Sequence, residues 1–245
     1  NGRKEPVVYW GTSGQRISDS YNLDCFGTAE LLEGGILLYG DDFRSQMAVP
    51  TYAKMRDEIA RHCQAARKYG VSIGWLLDIA RGIYTLRTGK VIAKTAAGEW
   101  ALENSLYPDE DALRKAVQIR RAPLCFSSED KRLENEIIQR FADVLEEERS
   151  NTIQLFAESE LQRMGISCGT LSLIRNKDDV SVWRVSAGDC HFVMKCFDKP
   201  EYRREISNYQ ILSSIGVPTL KMINNTDCSL LMEDIEYSSY RLGTV

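Results

Sequence analysis

The spacing of the apolar residues changes near residue 150, and this change confines the chain to folds in which a helical part is followed by a sheet. Before it, Met55, Ile59 and Cys63 recur every fourth residue with Lys, Arg and Glu between them, the pattern of an amphipathic helix. After it, short apolar runs over 171–174, 180–185 and 191–197 are separated by the turn-forming segments 176–179 and 187–189, the pattern of strands joined in pairs. The acidic residues Glu146, Glu147 and Glu148 before the change read as a solvated helix end.

The first part predicts a strand over 7–10 stopped by Gly11 and Gly14, a helix over 26–32, and a second strand over 36–40, so the opening forty residues read as strand, helix, strand. A helix then starts after Pro50 and ends near Gly70. The next runs from Ser72, as its N-cap, to Thr88, with Gly89 as its stop; it is apolar nearly all round, as befits the central helix of a bundle. Helices over 95–103 and 109–121 follow, and Ser128 caps a long one carrying Leu133, Ile137, Phe141, Val144 and Leu145 on one face. The second part predicts a helix over 152–164, the three strands above, a helix over 200–214 closed by Gly216, and strands over 217–223 and 229–232. The expected fold class is α+β: an antiparallel helical bundle over 41–150, then a small, mainly antiparallel sheet with one helix over 151–245.

Charge and composition narrow the partners. A net charge of -4, with Lys and Arg scattered among acids, speaks against nucleic acid or an anionic membrane and suits a cationic small molecule. Seven cysteines, an odd number without any C-x-x-C pair, read as reduced thiols in a cytoplasm. No leader opens the chain and no run of about 18 apolar residues occurs, so neither secretion nor membrane spanning is expected. With only His62 and His191 and no ligand-spaced cysteines, no metal site is expected.

Two stretches carry resemblances. Ala80, Arg81 and Tyr84 lead into Thr88, Gly89 and Lys90; Lys94 then precedes an Ala-rich helix with Trp100 and Ala101. This resembles the helical C-terminal domain of the streptomycin and spectinomycin adenylyltransferases, more loosely over about residues 22–145. The resemblance implies a substrate site at Tyr84, Lys94 and Glu99, with Lys94 for phosphate and Glu99 for a drug amine. Lys90, at a helix C-terminus, and Trp100, as a buried ring, have structural readings. Thr95 stands where that family carries a drug-binding acid. The family's chemistry also needs carboxylates on a strand after a Gly-Ser turn. The nearest match, Gly11 and Thr12 followed by Asn22 and Asp24, has Asn22 where an acid is wanted; residues 1–40 are read as the remnant of that α/β domain, and its catalytic half is expected upstream of Asn1.

In the second part, Lys195 sits in mid-strand among apolar neighbours, a costly place for a cation unless an anion meets it. Arg204, Glu205 and Ile206 follow on a helix, then Gly216, Val217 and Pro218, then Leu231, Met232, Glu233 and Asp234. Residues 170–237 resemble the N-terminal lobe of the aminoglycoside phosphotransferase-like kinases. The resemblance implies that Lys195 and Glu205 grip ATP phosphates, that the hinge at Glu233 and Ile235 meets adenine, and that Mg2+ accompanies the nucleotide. No catalytic-loop Asp or Asn follows before Val245, so no catalytic residue is assigned. The reading is a fragment or truncation of an aminoglycoside-modifying transferase, of nucleotidyl- or phosphotransferase type; the alternative is an inactive binding or regulatory protein whose helical bundle is an interaction domain.

Overall fold

A computed structural model describes residues 7–11, 14–18, 23–107, 109–167 and 169–237. The fold is α+β, and the chain divides into two compact units, Asn1–Ser150 and Asn151–Val245.

In the first unit, β1 (Val7–Gly11) and β2 (Gly14–Ser18) pair antiparallel, with Gly11 opposite Gly14. Helix α1 (Cys25–Gly34) begins where the Asp24 carboxylate accepts the Gly27 amide at 2.6 Å. The strand expected over 36–40 does not form. Ile36, Leu38 and Tyr39 are 84%, 93% and 96% exposed and pair with no strand among the described residues. An apolar run becomes a strand only where another edge meets its backbone, and the strand that does form is β2, with its mixed sequence.

Five helices supply most of the core. Thr51 caps α2 (Tyr52–Tyr69), which buries Met55, Ile59, Cys63 and Ala66. Next comes α3 (Gly74–Thr88), buried at Leu76, Leu77, Ile79, Ala80, Ile83 and Leu86. It ends at Gly89, whose φ of 68° is the left-handed conformation a glycine takes at low cost and whose amide donates to Thr85 O at 2.8 Å. Helix α4 (Lys94–Glu103) packs closely because Gly98 has no side chain: a Cβ there would lie 2.7 Å from Leu77 Cδ2 and 2.8 Å from Val117 Cγ2. Val117 is on α5 (Glu110–Arg121), capped by Asp109.

Helix α6 (Asn135–Asn151) starts later than the expected cap at Ser128. The reason lies in the backbone hydrogen bonds of the segment before it. Lys131 O accepts the Ile73 amide and the Leu133 amide donates to Val71 O, each at 3.0 Å, so residues 131–133 pair like a strand with 71–73. Asp130 meanwhile accepts from Ser127. Ile138, Phe141, Ala142 and Leu145 of α6 complete the core, each large side chain contributing about 1.5–3 kcal/mol on burial.

The second unit opens with α7 (Ile153–Arg163), then β3 (Thr170–Lys177), β4 (Val180–Ala187) and β5 (Cys190–Phe197). A single turn, Pro200–Tyr202, precedes α8 (Arg204–Ser214), and β6 (Met222–Asn225) and β7 (Ser229–Glu233) close the unit. The strand expected from 217 starts only at Met222. All five strands of the sheet are antiparallel in the order β3-β4-β5-β7-β6. The β3–β4 turn consists of Asp178 and Asp179, both left-handed at φ 54° and 59°, the backbone of a two-residue hairpin. Ile206 and Tyr209 of α8 pack with Val193 and Phe197 of β5 and with Leu230 and Met232 of β7.

Helix α7 is tied to the β6–β7 hairpin by one buried carboxylate. Glu160, 0% exposed, accepts Ser229 Oγ at 3.0 Å, Cys228 Sγ at 3.1 Å and the Thr226 hydroxyl, and it pairs with Arg163 at 2.9 Å. Both carboxylate oxygens have donors, Oε2 from all four groups and Oε1 from Arg163, which is how a charge is tolerated there.

Candidate functional site

On β5, alternation puts Val193, Lys195 and Phe197 on one face, and this is the face that α8 covers. Glu205, in the first turn of α8, lies one residue before the buried Ile206, which anchors the helix to the sheet. The result is an ion pair between Lys195 Nζ and Glu205 Oε1 at 2.5 Å, with both side chains about a third exposed. The pair is open enough for a ligand oxyanion to reach the ammonium, and the carboxylate holds the lysine extended.

Glu233 and Ile235 lie at and beyond the end of β7. Glu233 exchanges backbone and side-chain bonds with Lys221: its amide donates to Lys221 O at 3.0 Å and its Oε1 accepts the Lys221 amide at 2.8 Å. Between them Asp234 is buried and accepts Arg184 Nε at 2.7 Å, while Arg184 also meets Glu236 at 2.7 Å. The Asp234 bond raises the Arg184 pKa, so this clamp stays charged. His191 stacks on Tyr237 with centroids 3.9 Å apart. The sequence reading missed the Arg184–Asp234 clamp; its one signal is a charged residue between Trp183 and Val185. The β3–β4 turn carries no glycine, and Asp179 holds Lys199 at 2.6 Å, raising its pKa.

In the helical unit, Lys94 Nζ pairs with Asp78 at 2.7 Å, and the buried Arg81 pairs with the same carboxylate at 3.0 Å and with Glu30 at 3.4 Å. Asp78 and Arg81 were not anticipated, although their i,i+3 spacing in the tyrosine-bearing helix signals a pair. Tyr84 meets Trp100 edge to face at 5.1 Å, and Arg87 lies over Trp100 while pairing with Glu148 at 2.7 Å. Glu99 pairs with Arg121. These residues do not converge on one spot. Lys94 lines a cavity of about 800 Å3 and a neighbouring one of about 490 Å3; Tyr84 and Glu99 line neither.

Thr12 and Asn22 of the candidate carboxylate segment lie outside the described residues. Asp24 is committed to capping α1, with its second oxygen 3.9 Å from His62. Two groups among the described residues bring ligand-type atoms together: Asp24, Glu58 and His62, and Glu160, Asp227 and Cys228. In each, an arginine already neutralises the buried acid, Arg61 at Glu58 and Arg163 at Glu160, so neither offers magnesium an uncommitted pair of carboxylates.

Residues 51–148 match the family of the aminoglycoside adenylyltransferase C-terminal domain, so the chain contains a domain of that kind. The match spans α2 to α6 and includes Tyr84, Lys94 and Glu99. No curated protein matches the chain, and no solved structure matches it. No helix among the described residues is long and apolar enough to cross a membrane.

Proposed function

We propose that this chain is part of an aminoglycoside-modifying type of transferase, of nucleotidyl- or phosphotransferase class, and that its sheet unit binds ATP through Lys195 and Glu205. The observation that carries the reading is the 2.5 Å pair between a mid-strand lysine and a helix glutamate, in a sheet of order β3-β4-β5-β7-β6 with α8 between β5 and β6. That is the arrangement by which a kinase lobe fixes a lysine against nucleotide phosphates. In this reading the backbone at Glu233 and Ile235 meets adenine, and magnesium, when bound, shields the phosphates. Lys94 and Glu99 face the phosphate and the amine of a drug, beside Tyr84. Residues 1–40 are a remnant of the nucleotidyltransferase α/β domain, 41–150 the helical domain and 151–245 a kinase-like lobe. The adenylyltransferase-type domain over 51–148 supports the drug-modifying class.

Thermal unfolding of the chain with magnesium and ATP tests this. A ligand present at about a hundredfold above its Kd stabilises by roughly 2.7 kcal/mol. The expected result is an ATP-dependent rise in Tm that Lys195→Ala abolishes. A folded sample showing no shift with any nucleotide overturns it.

One observation favours a second reading, a binding or regulatory protein. The apolar residues Ile36, Leu38 and Tyr39, between α1 and the helical domain, stand almost fully exposed, a surface suited to a protein partner. Retention of a partner that Leu38→Asp and Tyr39→Asp release, with no drug turnover in the presence of metal and nucleotide, favours it.

A further inference from the structure

Glu58 and His62 stand four residues apart on α2, and Asp24 reaches the same place from the start of α1. Residues at i and i+4 share one face of a helix, so the glutamate and the imidazole project side by side. His62 Nε2 lies 3.1 Å from Glu58 Oε1 and 3.9 Å from Asp24 Oδ2, and the ligand-type atoms of the three side chains all fall within 4.8 Å of one another. A single N–H serves one of those two oxygens. A cation meets both oxygens and the nitrogen together.

The oxygens concerned are those that the fold leaves over. Asp24 Oδ1 accepts the Gly27 amide at 2.6 Å, and Glu58 Oε2 accepts the Arg61 guanidinium and the Cys25 amide. The two negative charges are thinly met. The Glu58 side chain is 3% exposed, whereas the Arg61 that pairs with it is 68% exposed and screened by solvent, and Asp24 has no lysine or arginine partner among the described residues. The Cys25 thiol registers the excess: burial first, then the Glu58 charge, and Asp24 more weakly, push it up against the pull of Arg61. Magnesium holds to oxygen ligands in octahedral geometry, whereas zinc takes imidazole nitrogen and carboxylate oxygen together. A tetrahedral zinc ion spaces its ligand atoms about 3.4 Å apart. The approaches of 3.1 and 3.9 Å to His62 bracket that spacing.

We propose that Asp24 Oδ2, Glu58 Oε1 and His62 Nε2 bind one zinc ion, with water in the fourth position, to which the partly exposed Asp24 and His62 give access. The ion clips α1 to α2. Phe26 is the one buried residue of α1, so little apolar surface holds that helix down, and a metal bond from its N-cap to α2 adds what packing does not supply. The inference is independent of nucleotide binding at Lys195 and of any drug site.

The test is titration calorimetry of the full chain with zinc sulfate, in a Cys125→Ser, Cys190→Ser background that removes the exposed thiols as competing ligands. The expected result is one zinc site per chain that magnesium does not fill, weakened by about tenfold or more by His62→Gln and by Asp24→Asn. Asparagine caps a helix as well as aspartate, so Asp24→Asn keeps α1 formed and reads the site even where His62→Gln disturbs the fold. Cobalt in place of zinc should give visible absorption bands without a thiolate charge-transfer band in the near ultraviolet. Zinc should also slow hydrogen exchange of the α1 amides. Absence of zinc binding, binding indifferent to both substitutions, a thiolate band with cobalt, or unchanged exchange in α1 would each overturn the proposal.

Discussion

Tyr107 and Phe141 stack ring on ring, with centroids 4.1 Å apart and planes 14° from parallel, and the stacked tyrosine's hydroxyl is buried with no hydrogen-bond partner. A buried unsatisfied hydroxyl costs about 1 kcal/mol or more. Tyr107→Phe keeps the stack and removes the orphan, so the urea midpoint should rise, by about 1 kcal/mol in stability. Burial first, and then the Glu148 charge against the opposing Arg87, pushes the Tyr107 pKa well above its ordinary 10. The phenol is therefore neutral in the fold and ionises more readily when unfolded. Its contribution is fully present below pH 10 and is lost as pH rises toward the folded value. Stability measured across that range should fall less steeply in Tyr107→Phe than in the parent.

At Gly98 two effects oppose each other. Replacing glycine by alanine inside a helix gains about 1 kcal/mol. Against this, the new Cβ would sit under 3 Å from Leu77 and Val117, whose side chains are buried and have little room to yield. Overpacking of this kind costs about 1–3 kcal/mol. Gly98→Ala should lose about 1 kcal/mol and Gly98→Val clearly more, read from chemical denaturation; a stabilised Gly98→Ala would mean that α3, α4 and α5 separate easily.

Glu160 serves four donors at once, so its removal takes a shared acceptor from Thr226 and from the buried Cys228 and Ser229 and leaves the Arg163 charge less compensated. Glu160→Ala should cost about 3 kcal/mol and Glu160→Gln less, because the amide oxygen still accepts. Hydrogen exchange of the β7 amides is the sharper measurement. Faster exchange there, with the β3–β4 amides unchanged, is the expected pattern.

The thiols divide by environment. Cys125 and Cys190 are exposed; Cys63, Cys196 and Cys228 are buried. Burial and the Glu146 carboxylate push Cys63 up to about 11, and burial with Glu160 pushes Cys228 higher still. Only the thiolate alkylates, and at pH 8 the thiolate fraction of Cys63 is on the order of one in a thousand. Iodoacetamide at pH 8, followed by peptide mass spectrometry, should label Cys125 and Cys190 in the native protein and the buried three only in urea. Native labelling of Cys63 as fast as Cys125 would contradict the packing of α2 against α6.

What the sequence made legible was whatever depends on local spacing. The helices α2 to α5 and the pairing of β3 with β4 and of β4 with β5 follow from periodicity and turn residues, and the juxtaposition of Lys195 with Glu205 follows from a lysine out of place in an apolar strand. Illegible was whatever depends on a distant partner. Residues 36–40 look like a strand but no edge receives them, whereas the plain segment Gly14–Ser18 pairs because Val7–Gly11 lies opposite. Arg184 finds Asp234 fifty positions away, and Arg120 shares the wall of the larger cavity with Lys131 and Arg132 only because 131–133 pair with 71–73. The sequence singled out Lys94 but not its ion-pair partner Asp78.

The two left-handed aspartates between β3 and β4 make that hairpin intolerant of insertions. With Lys177 opposite Val180, the reversal uses two residues and no more. A third would shift β3 by one position against β4, and because side chains alternate along a strand, the residues that now face one side of the sheet would all face the other. The length of this turn is therefore fixed even though its composition is not: Asn-Gly would serve as well as Asp-Asp, whereas an added serine would not.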